Sequence, residues 1–436
     1  MSEVKPDVQQ TLPPNYRRNI LAFMGDWISF GIGMSFASGS TVLPALVNQL
    51  SGSPLAVGLI STLGSGGWLL PQLFAASRVH RLSRKKPAII IPSLIGRPTF
   101  LITALAILYL AVPHPALTAA IFLAGFGIFN MCDGISSVPW FDLFSRAVPP
   151  WRRGRFIGST QVISAILTIG VGGIVGYILS DRGPFEYPAN YAALFFIAAA
   201  FLGLSMLFTL SIRETPAEAV GEKATLRDYV RELKGIWKND RDFRLITGIR
   251  FLLGWASLAT PFYTVYAINV KGVPMGTVGW FLSAQIAGGF VYSIIGGYLL
   301  ERFGGRLTTN IEAVLALVSP VLGIVVGYFV PGESPWFLVV YLLLFAFLGA
   351  MNNSFMMGHM NYLLEMSPEE KRSIYVGLSN TIEGYIVVVP LLGGLLVNLF
   401  SYELLFVLTA LFLAPTLALS LRLSEPRNRV RPAPVS

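Results

Sequence analysis

The chain has 436 residues, of which 54% are apolar and 13% charged, with a net charge of +9. A soluble domain averages about 25% charged residues, so the composition excludes an ordinary water-soluble fold, whose interior could not take up this much apolar surface. The basic residues sit at the ends of apolar segments rather than along one face, which fits anionic lipid headgroups and excludes nucleic acid as a partner.

In chain order, the segment up to Arg18 is polar, carries Pro13 and Pro14, and lacks the apolar core of a cleavable signal. The first apolar stretch must then direct insertion itself. Twelve such stretches follow, at 19–48, 55–77, 87–112, 115–146, 157–180, 189–212, 244–270, 275–300, 307–330, 335–365, 373–399 and 402–422. Each exceeds the roughly 20 residues needed to cross a ~30 Å hydrocarbon core as a helix, and backbone hydrogen bonding in lipid requires helices. The expectation is an all-α membrane protein with twelve transmembrane helices. Segment 213–243 is charged at helical spacing and reads as a cytoplasmic linker between six-helix bundles at 1–212 and 244–423, with a cytoplasmic tail at 424–436.

Of 32 Lys and Arg, 28 fall in the N-terminal segment, the even-numbered gaps or the tail. Only Arg182 and Lys271 occupy odd-numbered gaps, while Arg97 and Arg250 lie inside apolar stretches. Basic residues are retained on the cytoplasmic side during insertion. The alternation places both termini in the cytoplasm, for a protein integral to the plasma (bacterial inner) membrane.

The halves repeat at an offset of about 220 residues. Pro54, Gly58 and Arg81 match Pro274, Gly279 and Arg302; Pro149, Arg153 and Gly158 match Pro368, Arg372 and Gly377; Asp133 falls on Asn352. Six crossings return the chain to its starting side, so the halves share one orientation and enclose a site between them.

The loop after the eighth stretch reads Gly297-Tyr-Leu-Leu-Glu301-Arg302-Phe-Gly304-Gly-Arg306. It resembles the signature loop of the major facilitator superfamily, loosely Gly-x-x-x-Asp-Arg-x-Gly-Arg-Arg. The counterpart after the second stretch keeps Arg81 and Arg84 but has Ala76, His80 and Ser83 where the pattern has Gly, an acid and Gly. Two copies in register, with a 6+6 division and a charged linker, extend the resemblance over nearly the whole chain. It implies two pseudo-symmetric six-helix bundles that rock to give alternating access, with Arg81, Arg84, Glu301, Arg302 and Arg306 in gating loops. It also implies that helices 1, 4, 7 and 10, with 2, 5, 8 and 11, line a central cavity.

A charge at the bilayer centre costs ~2.5–3.5 kcal/mol on insertion scales, so buried ionisable groups must face the protein interior or water. They are Asp26, Arg97, Asp133, Arg250, Glu312, His359 and Glu383. Asp26, Ser29, Gly33, Ala37 and Ser40 form a small, polar stripe on the first helix; Arg250, Gly254, Ser257, Pro261 and Thr264 form its partner on the seventh. The candidate substrate and cavity residues are Trp68, Gln72, Asp133, Gln161, Arg250, Gln285, Tyr292, Asn352, Asn353 and Glu383. Asp26 is the candidate for proton coupling: burial disfavours its charged form, and its own helix offers no partner. Several exporters of the superfamily carry an acid on the first helix.

Structural readings stand beside these. Arg97 and Asp133 lie at similar depth and could form a fixed ion pair, as could Arg250 and Glu383. His359 lies near Glu365 and the cytoplasmic surface and reads as a structural histidine. The sequence has no phosphate-cradling loop, no His or Cys cluster of metal-ligand spacing and no nucleophile motif, so neither an enzyme nor a cofactor is expected. Lone Cys132 cannot form an intramolecular disulfide. The reading is a secondary transporter of a small organic solute, monomeric and proton-driven. Pro390-Leu-Leu-Gly393-Gly394 resembles an exporter signature and tips the direction toward efflux. The alternative is a non-transporting, lipid- or pigment-handling assembly protein on the same fold.

Overall fold

The computed structural model describes residues 12–79, 82–214, 235–368, 375, 378–379, 382 and 384–427. In chain order the helices are α1 (Tyr16–Phe36), α2 (Val42–Ser51), α3 (Pro54–Val79), α4 (Lys86–Gly96), α5 (Pro98–Leu110), α6 (Pro115–Ala147), α7 (Pro150–Leu179) and α8 (Ala189–Ser211). The second half has α9 (Arg241–Leu253), α10 (Phe262–Asn269), α11 (Thr277–Phe303), α12 (Gly305–Phe329), α13 (Pro335–Phe355), α14 (Asn361–Met366), α15 (Val389–Leu399) and α16 (Tyr402–Ser420). Among the described residues, nine helical runs are long and apolar enough to cross a membrane. The three other expected stretches hold α1 with α2, α3, and α15.

Several stretches are broken helices. The first is interrupted between α1 and α2, and the seventh between α9 and α10, where a 3-10 turn at Gly254–Leu258 leads into Pro261. Proline lacks the N–H that a continuous helix needs and crowds the carbonyl four residues back, so the turn ends there. The two interruptions fall at corresponding places in the repeat. The third stretch passes from α4 to α5 through Arg97 and Pro98, still in helical backbone geometry. The tenth contains a π-helical turn at Met356–Met360 between α13 and α14.

The outer faces carry bare apolar side chains. Ile91, Leu94 and Ile95 on α4 and Ile102 on α5 are each 55–60% exposed. So contiguous an apolar surface suits acyl chains and not water. Within each half, α1 packs on α7 and α8, α3 on α6, α11 on α13, and α12 on α13 and α16.

The halves meet along two crossings related by the repeat. α3 lies against α15, where a β-carbon added at Gly58 would collide with the carbonyl oxygen of Pro390. α7 lies against α11, where a β-carbon at Gly279 would collide with the carbonyl oxygen of Gly172. Small residues let helix backbones approach this closely in lipid, where packing rather than hydrophobic expulsion drives association. Ser283 reinforces the second crossing by donating to the Ile169 carbonyl at 2.9 Å.

Candidate functional site

A cavity of about 880 Å³ lies between the halves, bounded by α1 and its break, α7, α11 and α13. Among apolar wall residues such as Met34, Leu282, Ile286 and Phe290 stand hydroxyls and amides: Ser35, Ser38, Ser40, Gln161, Ser164, Thr168, Gln285, Ser293, Asn352 and Asn353. Glu301 is the one ionisable lining residue among those described, and it stands at the mouth. Gln161, Asn352 and Asn353 are exposed although each lies well inside its helix. The cavity therefore opens toward the face where α1 begins and α16 ends, where the Glu301 carbonyl accepts from Arg427 Nη1 at 3.0 Å.

The opposite end is closed. Ser40 at the α1 break donates to Gln285 Oε1 at 2.7 Å, and Thr264 of α10 donates to the Ser40 carbonyl at 2.9 Å. Farther out, Asn48 and Asn269 exchange amide hydrogen bonds. With the glycine crossings, these contacts seal the halves on one side while the other stays open.

A second cavity, about 350 Å³, lies wholly within the first half, between α1, α3, α4 and α6. It gathers Asp26, Arg97 and Asp133 with Trp27, Phe30, Trp68, Trp140 and Phe141. Asp26 is only 5% exposed. Its Oδ2 accepts from Trp140 Nε1 at 2.7 Å, and its Oδ1 accepts from Ser205 and, at 3.0 Å, from Thr209. Arg97 Nη2 lies 3.8 Å from Asp26 Oδ1, while Nη1 donates to the Leu202 carbonyl at 2.9 Å. Arg97 thus forms its ion pair with Asp26, where the sequence had suggested Asp133. The reason is geometric: the Leu202 carbonyl holds the guanidinium against α8, beside α1. Asp133 lines the same cavity as Trp68 and remains within electrostatic reach of Arg97.

Of the candidate cavity residues, Gln161, Gln285, Asn352 and Asn353 line the central space, and Trp68 and Asp133 the smaller one. Gln72 lines neither. Arg250 also lies outside both: its guanidinium sits 4.0 Å from the centre of the Phe355 ring. Phe355 stacks on His359, whose backbone N–H donates to Glu312 at 3.0 Å and whose Nε2 contacts Ser379 at 3.2 Å. Tyr292 borders a separate apolar groove on α11, α12 and α13. Glu383 and Arg81 lie outside the described residues.

Among the other gating-loop residues, Arg84 is exposed. Arg302 contacts Tyr298 and Phe303, and Arg306 Nη2 donates to the Leu421 carbonyl at 3.1 Å.

Sequence reasoning passed over three features. Ser205 and Thr209, four residues apart on one face of α8, hold the Asp26 carboxylate; their spacing was the available signal. Glu214, just after α8, accepts from the backbone amides of Lys85 and Lys86, the latter at 3.0 Å. Glu425, just after α16, accepts from the Arg306 amide at 3.2 Å. Each carboxylate caps a helix start in its half, where the helix dipole favours negative charge. Lys85, 1% exposed, reaches Asp142 at 3.6 Å, and Asp142 also holds Arg146 at 2.9 Å.

The sequence matches the model of the major facilitator superfamily over residues 27–386 and 272–436. An uncharacterised protein of Mycobacterium tuberculosis is 25% identical over 245 residues, 55% of this chain and 46% of its own, as is one of Mycobacterium bovis. The chain thus spans about half the length of the curated relatives it matches. Among solved structures, a mutant of the nucleoside transporter NupG superposes with a TM-score of 0.69 at 15% identity, covering 93% of this chain and 100% of that one. A bacterial homologue of the human lysosomal transporter Spinster, inward-facing and unoccupied, gives 0.63 at 14%, covering 98% and 100%. A bacterial homologue of the iron transporter ferroportin, inward-facing, gives 0.61 at 14%, covering 93% and 98%. At these identities the likeness establishes the fold.

Proposed function

The chain belongs to the major facilitator superfamily and is a membrane transport protein; from that premise we propose that it moves a small organic solute by alternating access, driven by protons. The observation that carries this reading is the polar cavity between the halves, open at one end and sealed at the other. Gln161, Gln285, Asn352 and Asn353 supply donors and acceptors in both directions, which suits a solute rich in hydrogen-bonding groups. Rocking the halves about the glycine crossings would close the mouth near Glu301 and part the seam at Asn48 and Asn269. Six-helix units at 1–212 and 244–423, a monomer, cytoplasmic termini and an inner-membrane location belong to the same proposal.

Coupling is assigned to the buried cluster in the first half. One guanidinium serves two carboxylates there, so the cluster can exchange a proton without losing its ion pair. Asp26 holds the pair, and a proton there would pass Arg97 on to Asp133. Efflux is favoured by the glycine and proline run of α15, in which Pro390, Gly393 and Gly394 pack on α3 and the 3-10 turn of the seventh stretch.

The test is purified protein in vesicles, a panel of small metabolites including nucleosides, and an imposed pH step. Uphill solute flux that collapses when the gradient is dissipated is expected. Flux indifferent to the pH step would remove the coupling. Pigment or lipid co-purification with no flux of any solute would replace transport by the assembly-protein reading.

A further inference from the structure

The central cavity carries no ionised side chain below its mouth among the described residues, whereas the smaller cavity of the first half is both charged and aromatic. Trp27, Trp68 and Trp140 line it, and the indole N–H of Trp140 is already committed to Asp26. That bond fixes the Trp140 ring, and the wall around the acids is aromatic. Arg97 is committed as well, to the Leu202 carbonyl and to Asp26. With both acids ionised the cluster bears one more negative charge than positive, and the surplus sits at Asp133. A buried charge without its own counter-charge is costly, and aromatic faces around it attract cations, above all where water is excluded.

We propose that this cavity is a subsite for an organic ammonium group, the charged end of the solute that the protein transports. The assignment rests on the transport reading and names its substrate class. Asp133 supplies the counter-charge, and the indole rings supply a cation-binding wall. Trp27 lines both cavities, so an ammonium held beside Asp133 could extend its polar remainder past that ring toward Gln161 and Asn352. The titratable and charged groups around Asp133 are Asp26 on α1, Arg97 after α4 and Cys132 on α6 itself. A proton on Asp26 would pass Arg97 to Asp133 and cancel the surplus charge, so proton and ammonium exclude each other and solute is tied to gradient through the coupling site already assigned.

The test is equilibrium binding to the purified full chain in detergent, followed by tryptophan fluorescence and calorimetry. The probes are choline and its uncharged isostere 3,3-dimethylbutan-1-ol. Choline should bind saturably and about tenfold or more tighter than the alcohol. Asp133→Asn should weaken choline by about tenfold or more, while Asp133→Glu restores it. Equal affinity for the two probes, wild-type affinity in Asp133→Asn, or no saturable choline binding by protein that melts cooperatively would each overturn the proposal. Should Asp133→Asn fail to fold, Trp68→Leu supplies the second variant: weakened choline binding supports the subsite and unchanged binding sinks it. Binding is read without flux, so a protein that binds choline but transports nothing keeps the subsite and loses the transport reading. Flux of an uncharged solute without choline binding does the reverse.

Discussion

Asn48 and Asn269 are 221 residues apart, one repeat length, and each side-chain amide donates to the other at 2.9 Å. Residues equivalent by the internal repeat thus meet across the axis that relates the halves, forming a latch at the sealed end of the central cavity. A net hydrogen bond contributes about 1 kcal/mol at most sites and less where water competes. Asn48→Ala should therefore shift the balance between open and sealed seams by roughly fivefold without unfolding the protein. Alkylation of a cysteine introduced in a Cys132→Ser background at Ala45, fully buried one turn inside the latch, reads this out, and an unchanged labelling rate would assign the latch no weight.

The glycine crossings should be less forgiving. At Gly279 and Gly58 an added side chain meets backbone, which cannot rotate away. Gly279→Leu is expected to hold the α7–α11 seam apart and abolish solute flux while the melting temperature stays within a few degrees. Gly58→Leu should do the same at α3–α15. Normal flux in either variant would mean that the seam closes without these contacts.

Asp26 and Asp133 should part company under mutation. Asp26→Asn leaves Arg97 without its paired carboxylate and presents an amide to donors arranged for oxygen; breaking a buried pair costs about 3–5 kcal/mol. A marked fall in thermal stability is expected together with loss of gradient-driven flux. The reason is that the bonds from Trp140, Ser205 and Thr209 to Asp26 tie α1 to two other helices. Asp133→Asn should keep most of the stability, since Arg97 stays paired. Equal melting curves for the two variants would contradict the unequal division of Arg97.

The two carboxylate caps offer a graded comparison. Glu214 serves two backbone amides at the start of α4, Glu425 one at the start of α12. Glu214→Ala should cost about 1–2 kcal/mol and Glu425→Ala about half that, measured as melting shifts in detergent. The reverse order would show that the caps are not the dominant contacts of these residues.

Much of this architecture was legible because the bilayer constrains sequence so strongly. The long apolar stretches and the pairing of Gly58 with Gly279 follow from hydropathy and the repeat, whereas the break before Pro261 was not read from the sequence. Gln161, Gln285, Asn352 and Asn353 were found because polar residues deep in a membrane helix have to face a cavity. What the sequence hid was partnership between helices. Asp26 looked unpartnered because its hydrogen-bond donors lie 114 to 183 residues away, and Arg97 chose it over Asp133 because of a carbonyl on α8. Tyr292 reads as a cavity residue by type, yet α11 has one face toward the central space and another toward α12 and α13, and one residue of helical phase decides between them. Trp27 carries no signal of its own; only the packing of α1 reveals that it borders both cavities.

The claim on which the rest depends is that the halves alternate. Spin labels on a Cys132→Ser background measure this directly, with one pair at Ser51→Cys and Val270→Cys on the sealed side and another at Gly154→Cys and Gly297→Cys across the open mouth. Two populations are expected, one short outside and long at the mouth, the other reversed, with pH and bound solute shifting the balance. A single distance in each pair, unmoved by pH or by any solute that stabilises the protein, would contradict alternating access.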